Sequence, residues 1–366
     1  MKKTVLNPVH RDLQAKLVEF GGFEMPVQYT SIVAEHNTVR NTAGLFDLCH
    51  MGRFEVRGER AVEAVDSVVT CNTAKMTTGR IRYALVPNEQ GGVRDDILVY
   101  RFPESVFLVV NAGNRDKLLD HFGKHLPDDV EFEDRIEELA MIAVQGPLAH
   151  EILEPVTTTE WVPTFGDLGY YKITAARLDL DGQSYEGWVS RTGYTGENGF
   201  EIYVDSQRAA SLWEQLSQLG GDRMQPCGLG ARDTLRMEAG MPLYGHELGE
   251  DINPYEAGLG SSVKLKKATS YLGMDALREI KQAGPERQLR GFVVDGKRIA
   301  REGMALFAGD REVGITTSGA PSPTLGKNIV MGLVASDVAD DAAIEVDIRG
   351  RRVPLLPHDL PFYKRG

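Results

Sequence analysis

Cysteine is scarce. Cys49, Cys71 and Cys227 are the only three in 366 residues, an odd number without a C-x-x-C pair. That excludes a disulfide framework or a thiolate zinc site and favours a reducing compartment. The eight histidines are scattered along the chain, and no metal is expected. Long apolar runs are missing too, none approaching the ~18 residues of a membrane-spanning helix. The opening MKKTVLNPVH has two lysines but no apolar stretch behind them, unlike a secretory leader. The expected location is the cytoplasm. Positive charge is in deficit: 41 Lys and Arg against 53 Asp and Glu, net −12. A general binder of nucleic acid or anionic membrane is not expected, and any polyanion site must be local. What remains is 42% hydrophobic and 26% charged, the make-up of a folded chain. Its length suits two or three domains.

The pattern is mixed α and β. Residues 10–20 carry Leu13, Leu17, Val18 and Phe20 at roughly helical spacing. Ser31 to Thr42 suits a surface helix, and Phe54 and Val56 alternate with charge as in a strand. Residues 96–102 and 106–112 are apolar runs around Pro103-Glu104-Ser105, a hairpin signal. Residues 139–147 read as a buried strand stopped at Gly146-Pro147, and two strands flank Asp181-Gly182. Ser206 is placed to cap a helix running to Leu219. Beyond Gly284-Pro285, five short strands alternate with turn residues, which suggests a small antiparallel β-barrel. The fold class expected is α+β, with the main boundary near 275–285.

Four clusters join glycine, polar and aromatic residues: 46–52 (FDLCHMG), 91–100 (GGVRDDILVY), 191–201 (RTGYTGENGFE) and 227–240 (CGLGARDTLRMEAG). Asp95 and Asp96 open a strand, so alternation sends them to opposite faces, with Tyr100 on the Asp96 face. They read equally as a solvated turn pair after two glycines. Tyr194 and Glu201 flank a Gly-rich turn, where Glu201 is either a surface strand end or an acceptor for a ligand's N–H groups. Arg232 either pairs with Asp233 or Glu238 or is free for a ligand, with Arg236 the other candidate for that pairing. Cys49 and His50 are neighbours, and both are read as structural.

These clusters, with Gln145-Gly146-Pro147, Leu243-Tyr244-Gly245, Thr317-Ser318-Gly319 and Ser322-Pro323-Thr324-Leu325-Gly326, closely resemble the T-protein family of the glycine cleavage system, from about residue 6 onward. The resemblance implies a three-domain cloverleaf around a central folate. Residues 1–50 and 140–275 would form the first domain, 51–139 the second, and 280–366 the barrel. It implies an aminomethyltransferase with tetrahydrofolate as acceptor and the lipoyl-bearing H-protein as donor partner. Asp96 would stand at the reaction centre, where its carboxylate stabilises positive charge as ammonia leaves. Glu201 would accept the pterin N–H edge, Tyr194 would cover a ring face, and Arg232 would lie in the folate pocket. Met51, Tyr83, Tyr100 and Asn111 would line it, and Arg365 would reach it from the C-terminus unless that tail is frayed. Two departures, Ser261 for an aromatic and Met274 for a basic residue, lie outside the four clusters.

Two other readings share the family. A tetrahydrofolate-dependent demethylase of a sulfonium or methoxy substrate is separated only by overall closeness. A folate-binding iron–sulfur assembly factor would carry K-G-C-[FY]-x-G-Q, which is absent. Residues 281–301 hold six basic side chains against Glu286 and Asp295. This segment is either a solvated face or a docking patch for an acidic carrier, with Arg287 and Arg290 as its expected contacts.

Overall fold

The computed structural model describes residues 1–366, and the chain divides into two compact units. Residues 1–68, 72–83 and 97–232 form the first; residues 69–71, 84–96 and 233–366 form the second. The chain passes between them within the strands Ile81–Pro87 and Val93–Arg101.

A seven-stranded sheet organises the first unit. Its order is Thr157–Thr159, Ile173–Leu180, Gln183–Ser190, Gly199–Asp205, Leu139–Gln145, Ala43–Asp47, Met224–Pro226. Leu139–Gln145 lies between two antiparallel neighbours and every residue is buried, which is why it reads as an unbroken apolar run. Asp181 and Gly182 both take positive φ and close the hairpin between Ile173–Leu180 and Gln183–Ser190, as a two-residue hairpin turn requires. One face of the sheet packs Ile142, Val144, Val189, Phe200, Ile202 and Val204 against Leu212, Trp213 and Leu216 of the helix Ala209–Gly220. Each such side chain contributes about 1.5–3 kcal/mol on burial. The strand period then sends Glu201 and Tyr203 to the opposite face.

A second sheet has the order Ile81–Pro87, Val93–Arg101, Ser105–Val110, Gly52–Arg57, Glu131–Asp134. The expected hairpin is present, pairing Leu98 with Val109 and Tyr100 with Phe107. In the second unit, six antiparallel strands from Arg287 to His358 close a barrel around Phe292, Val294, Leu306, Val330, Val334 and Val346. The sixth, Arg352–His358, escapes a sequence reading because Pro354 and Pro357 interrupt it. Proline is tolerated where the ladder needs no N–H from that position.

Two local expectations fail. Residues 10–20 are not one helix: Asn7–Asp12 is helical, Gln14 takes φ 56°, and Lys16–Phe20 is a strand paired with Phe23–Gln28. Gly21 and Gly22, both at positive φ, make that hairpin possible, and Leu13 and Phe20 stay exposed. The second failure is the cap. The Asp205 carboxylate accepts from the Gln207 N–H, and a 3₁₀ turn, Ser206–Arg208, precedes the helix.

Candidate functional site

On the other face of the first sheet, Ser190 stands opposite Glu201 and Trp188 opposite Tyr203. Glu201 is buried. Its Oε2 accepts from Thr192 Oγ1 at 2.5 Å and, more weakly, from Ser190 Oγ and Tyr203 OH, each at 3.5 Å. All three fall on one oxygen, and Oε1 is left open. Burial pushes this carboxyl above its ordinary value, and the hydroxyls and the Arg232 charge oppose the shift only in part. The arrangement is an acceptor waiting for a donor.

Arg232, half-buried on the first turn of the helix Leu229–Glu238, lies 4.7 Å from the centre of the Tyr194 ring. Burial lowers its pKa, and Tyr194 and Glu201 pull it back, so the three groups share one neighbourhood. The loop carrying Tyr194 is clamped by buried Arg40, which donates to the Thr195 carbonyl at 2.7 Å and to Glu197 at 2.8 Å. Glu35 sets the start of the Arg232 helix. Its carboxylate accepts from the N–H groups of Tyr29, Thr30 and Gly228 at 2.6–2.8 Å.

The turn between Ala43–Asp47 and Gly52–Arg57 is fixed by buried Arg53, which donates to the carbonyls of Cys49, Met51 and Ile136. Met51 is half-buried there. His50 packs edge-on to Phe20, with Nδ1 unpartnered and its pKa pushed down to about 3, chiefly by burial. The Cys49 thiol is pushed up by burial and its Sγ contacts the Met141 carbonyl, so the two neighbours form no nucleophile–base pair.

Tyr194, Glu201 and Arg232 are therefore brought together. Tyr100 is fully buried, with its hydroxyl 2.8 Å from that of Tyr203; it supports Glu201 through Tyr203. Tyr83 and Asn111 are half-buried in the first unit. Asp96 is half-buried and Arg365 exposed, both in the second unit, whereas Asp95 is completely buried. Ser190, Thr192 and Tyr203 were missed in the sequence; only Tyr203, two residues from Glu201 on its own strand, carried a signal there. No group of three or more His, Cys, Asp or Glu side chains is placed to hold a metal ion.

Arg287 and Arg290 both have partners within the second unit. Arg287 pairs at 2.8 Å with buried Glu256, and Arg290 bonds the carbonyls of Val338 and Ala339 and pairs with Asp340. The Thr317-Ser318-Gly319 motif and the motif at 322–326 make their contacts inside the second unit. Arg236, not Arg232, makes the structural ion pairs, with Asp233 at 2.8 Å and Glu247 at 3.0 Å. Thr317 sits at a bulge in the barrel ladder that turns Ser318 Oγ to within 2.9 Å of Arg236. The Glu238 carboxylate binds Ser322 and Thr324 of the S-P-T-L-G turn.

The fold is an α+β body followed in sequence by a β-barrel. Its acceptor carboxylate and cation-capped ring suit a flat, N–H-bearing ligand. The model of the GCVT N-terminal domain matches residues 6–267, and that of the glycine cleavage T-protein C-terminal barrel domain matches 287–364. The aminomethyltransferase of Geobacillus sp. (strain WCH70) is 43% identical over 369 residues, covering 100% of both chains. That of Symbiobacterium thermophilum is 45% identical over 375 residues, covering 100% of this chain and 98% of its own. The crystal structure of glycine cleavage system aminomethyltransferase T from Bartonella henselae superposes with a TM-score of 0.90 at 30% identity, covering 99% of this chain and 98% of that one. The chain belongs to the aminomethyltransferase family, the T-proteins of glycine cleavage.

Proposed function

We propose that this enzyme transfers the methylene carbon of an aminomethyl group, held on the reduced lipoyl arm of H-protein, to tetrahydrofolate. Ammonia and 5,10-methylenetetrahydrofolate are the products, and the lipoyl sulfur is left as a thiol. The observation that carries the reading is the open Oε1 of Glu201 beside the Tyr194–Arg232 pair. A pterin presents a flat face and an edge of adjacent N–H donors, and a carboxylate is their natural acceptor.

Glu201 holds that edge and Tyr194 covers the ring. Arg232 favours the charged form of the carboxylate, and Tyr100 and Tyr203 fix it in place. Met51, Tyr83 and Asn111 line the pocket, and Arg365 reaches the folate. Asp96 stabilises the cationic carbon formed as ammonia departs; the protein contributes position and electrostatics without a covalent intermediate. The three-part division into 1–50 with 140–275, 51–139, and 280–366 belongs to the same proposal, as does a cytoplasmic location. No helix is long and apolar enough to cross a membrane.

The test is to supply aminomethylated H-protein and tetrahydrofolate and to measure ammonia and methylenetetrahydrofolate, with dimethylsulfoniopropionate as a rival donor. Turnover of the rival alone would assign demethylation instead.

A further inference from the structure

We propose that Gln145 is a positioning residue that sets the distance between Tyr194 and Glu201. The proposal rests on the folate reading of that pair. Gln145 ends the central strand Leu139–Gln145, opposite Gly199 on one neighbour and Gly44 on the other, and is 1% exposed. Its Nε2 donates to the Thr192 carbonyl at 3.0 Å, and its Oε1 accepts from Thr195 Oγ1 at 3.0 Å. The two contacts bracket Gly193-Tyr194. Thr192 in turn donates through Oγ1 to Glu201 Oε2. One carboxamide thus holds both sides of the Tyr194 loop and, through one threonine, the carboxylate across the site.

Sterics make the arrangement specific. A methyl group at Gly193 would overlap the Gln145 carboxamide oxygen, and one at Gly199 would overlap the whole amide. The loop lies directly on the amide, so these two glycines of the R-T-G-Y-T-G-E-N-G run answer to Gln145. The Gly146 N–H also bonds the Asn198 carbonyl at 2.8 Å, which anchors the loop's far end independently. The amide is therefore free to govern the segment that carries the ring. The position requires a donor for a carbonyl and an acceptor for a hydroxyl on one planar group. Glutamate lacks the donor when ionised, and methionine has the length but neither function.

The test compares wild type with Gln145→Met, Gln145→Glu and Thr195→Val. Tetrahydrofolate binding is followed by calorimetry, KM and kcat by ammonia release, and folding by thermal melting. Gln145→Met should weaken tetrahydrofolate binding and raise its KM about tenfold or more, since two buried hydrogen bonds are lost, and leave the KM for H-protein unchanged. Gln145→Glu should match it at pH 8. Its deficit relative to wild type should shrink as the pH falls, because a protonated carboxyl again donates to the Thr192 carbonyl. A purely structural glutamine would shift melting without that pH-dependent recovery. Thr195→Val, nearly isosteric, should lose about threefold and keeps the question open to test if the Gln145 variants do not fold. Folded variants that bind tetrahydrofolate like wild type overturn the positioning role alone. Wild type that fails to bind tetrahydrofolate overturns the folate reading and this role with it.

Discussion

Two carboxylates in the first unit, Asp47 and Glu201, are both buried and are treated in opposite ways. Asp47 is saturated: Oδ2 accepts from Thr4 and His10, each at 2.8 Å, and Oδ1 accepts from the Cys49 N–H at 2.7 Å. Burial alone would raise its pKa, but the His10 and Cys49 contacts win and hold it down at about 2. Glu201 receives three hydroxyls on one oxygen and nothing on the other, and its pKa moves up. A carboxylate that serves the fold has both of its oxygens met at folding. One that serves a ligand is left short, and the ligand supplies the difference.

The sharpest way to break this contrast is to neutralise the saturated member. Asp47→Asn leaves His10 and Thr4 without their acceptor charge and should cost about 3–5 kcal/mol of stability, the range for a broken buried pair. Tetrahydrofolate affinity of the folded fraction should not change. Urea unfolding followed by calorimetry measures both. The sign for acid follows from the depressed pKa. The Asp47 contribution is complete above its unfolded value near 3.8 and is lost as pH falls toward about 2, a loss of roughly 2–3 kcal/mol. The Asn variant should lack that part of the acid transition.

Asp96→Asn is expected next in size, a loss of roughly 10²–10³ in turnover with folate binding largely kept, as for removal of one electrostatic stabiliser. Alternation makes Asp95→Asn look mild from sequence. Its complete burial changes the expectation: Asp95→Asn should cost stability and spare the turnover of each folded molecule. Equal turnover losses in the two variants would remove Asp96 from the reaction.

Much of the site was legible because its side chains sit in Gly-rich runs on strands whose period is plain. Glu201 follows Gly199 and alternates with Phe200 and Ile202, so its face could be read directly. Its partners could not, because Ser190 and Thr192 reach Glu201 across a strand pairing that only the register fixes. Arg232 and Arg236 are four apart on one helix, and sequence could not say which pairs with Asp233. In the fold, the barrel was visible in its turn spacing, while Arg352–His358 was hidden by its prolines. At residues 10–20 a hairpin and a helix compete for the same apolar residues, and Gly21-Gly22 decides the outcome.

Glu201→Gln tests the open oxygen. The amide presents one acceptor and an unwanted donor, so tetrahydrofolate binding should weaken by roughly 1–3 kcal/mol, with melting little changed because the lost contact belongs to the ligand. The raised pKa supplies a second check. In wild type, affinity should fall as the medium acidifies, beginning above the ordinary glutamate value, because protonation removes the acceptor. In the Gln variant the acid dependence due to this group should vanish. A wild-type binding profile that stays flat down to pH 4.5 would count against Glu201 as the ligand's acceptor.

The smallest expected effect concerns exposed charge and extends the comparison to the second unit. Arg287 is a poor candidate for steering a carrier, because its guanidinium belongs to buried Glu256; Arg287→Glu should damage folding before it alters docking. Lys297 and Arg301 lie in the same basic segment, exposed between the strands Arg287–Val294 and Ala305–Ala308, and neither makes a side-chain ion pair. Charge at such positions alters encounter rate more than bound-state energy. Reversing both to Glu should raise the KM for an acidic H-protein on the order of a few-fold at low salt, with kcat, melting and tetrahydrofolate affinity unchanged. The effect should fade near 0.15 M salt, where the screening length is about 8 Å. If the double reversal leaves H-protein kinetics at wild-type values at low salt, this segment is only a solvated face, and the carrier docks elsewhere.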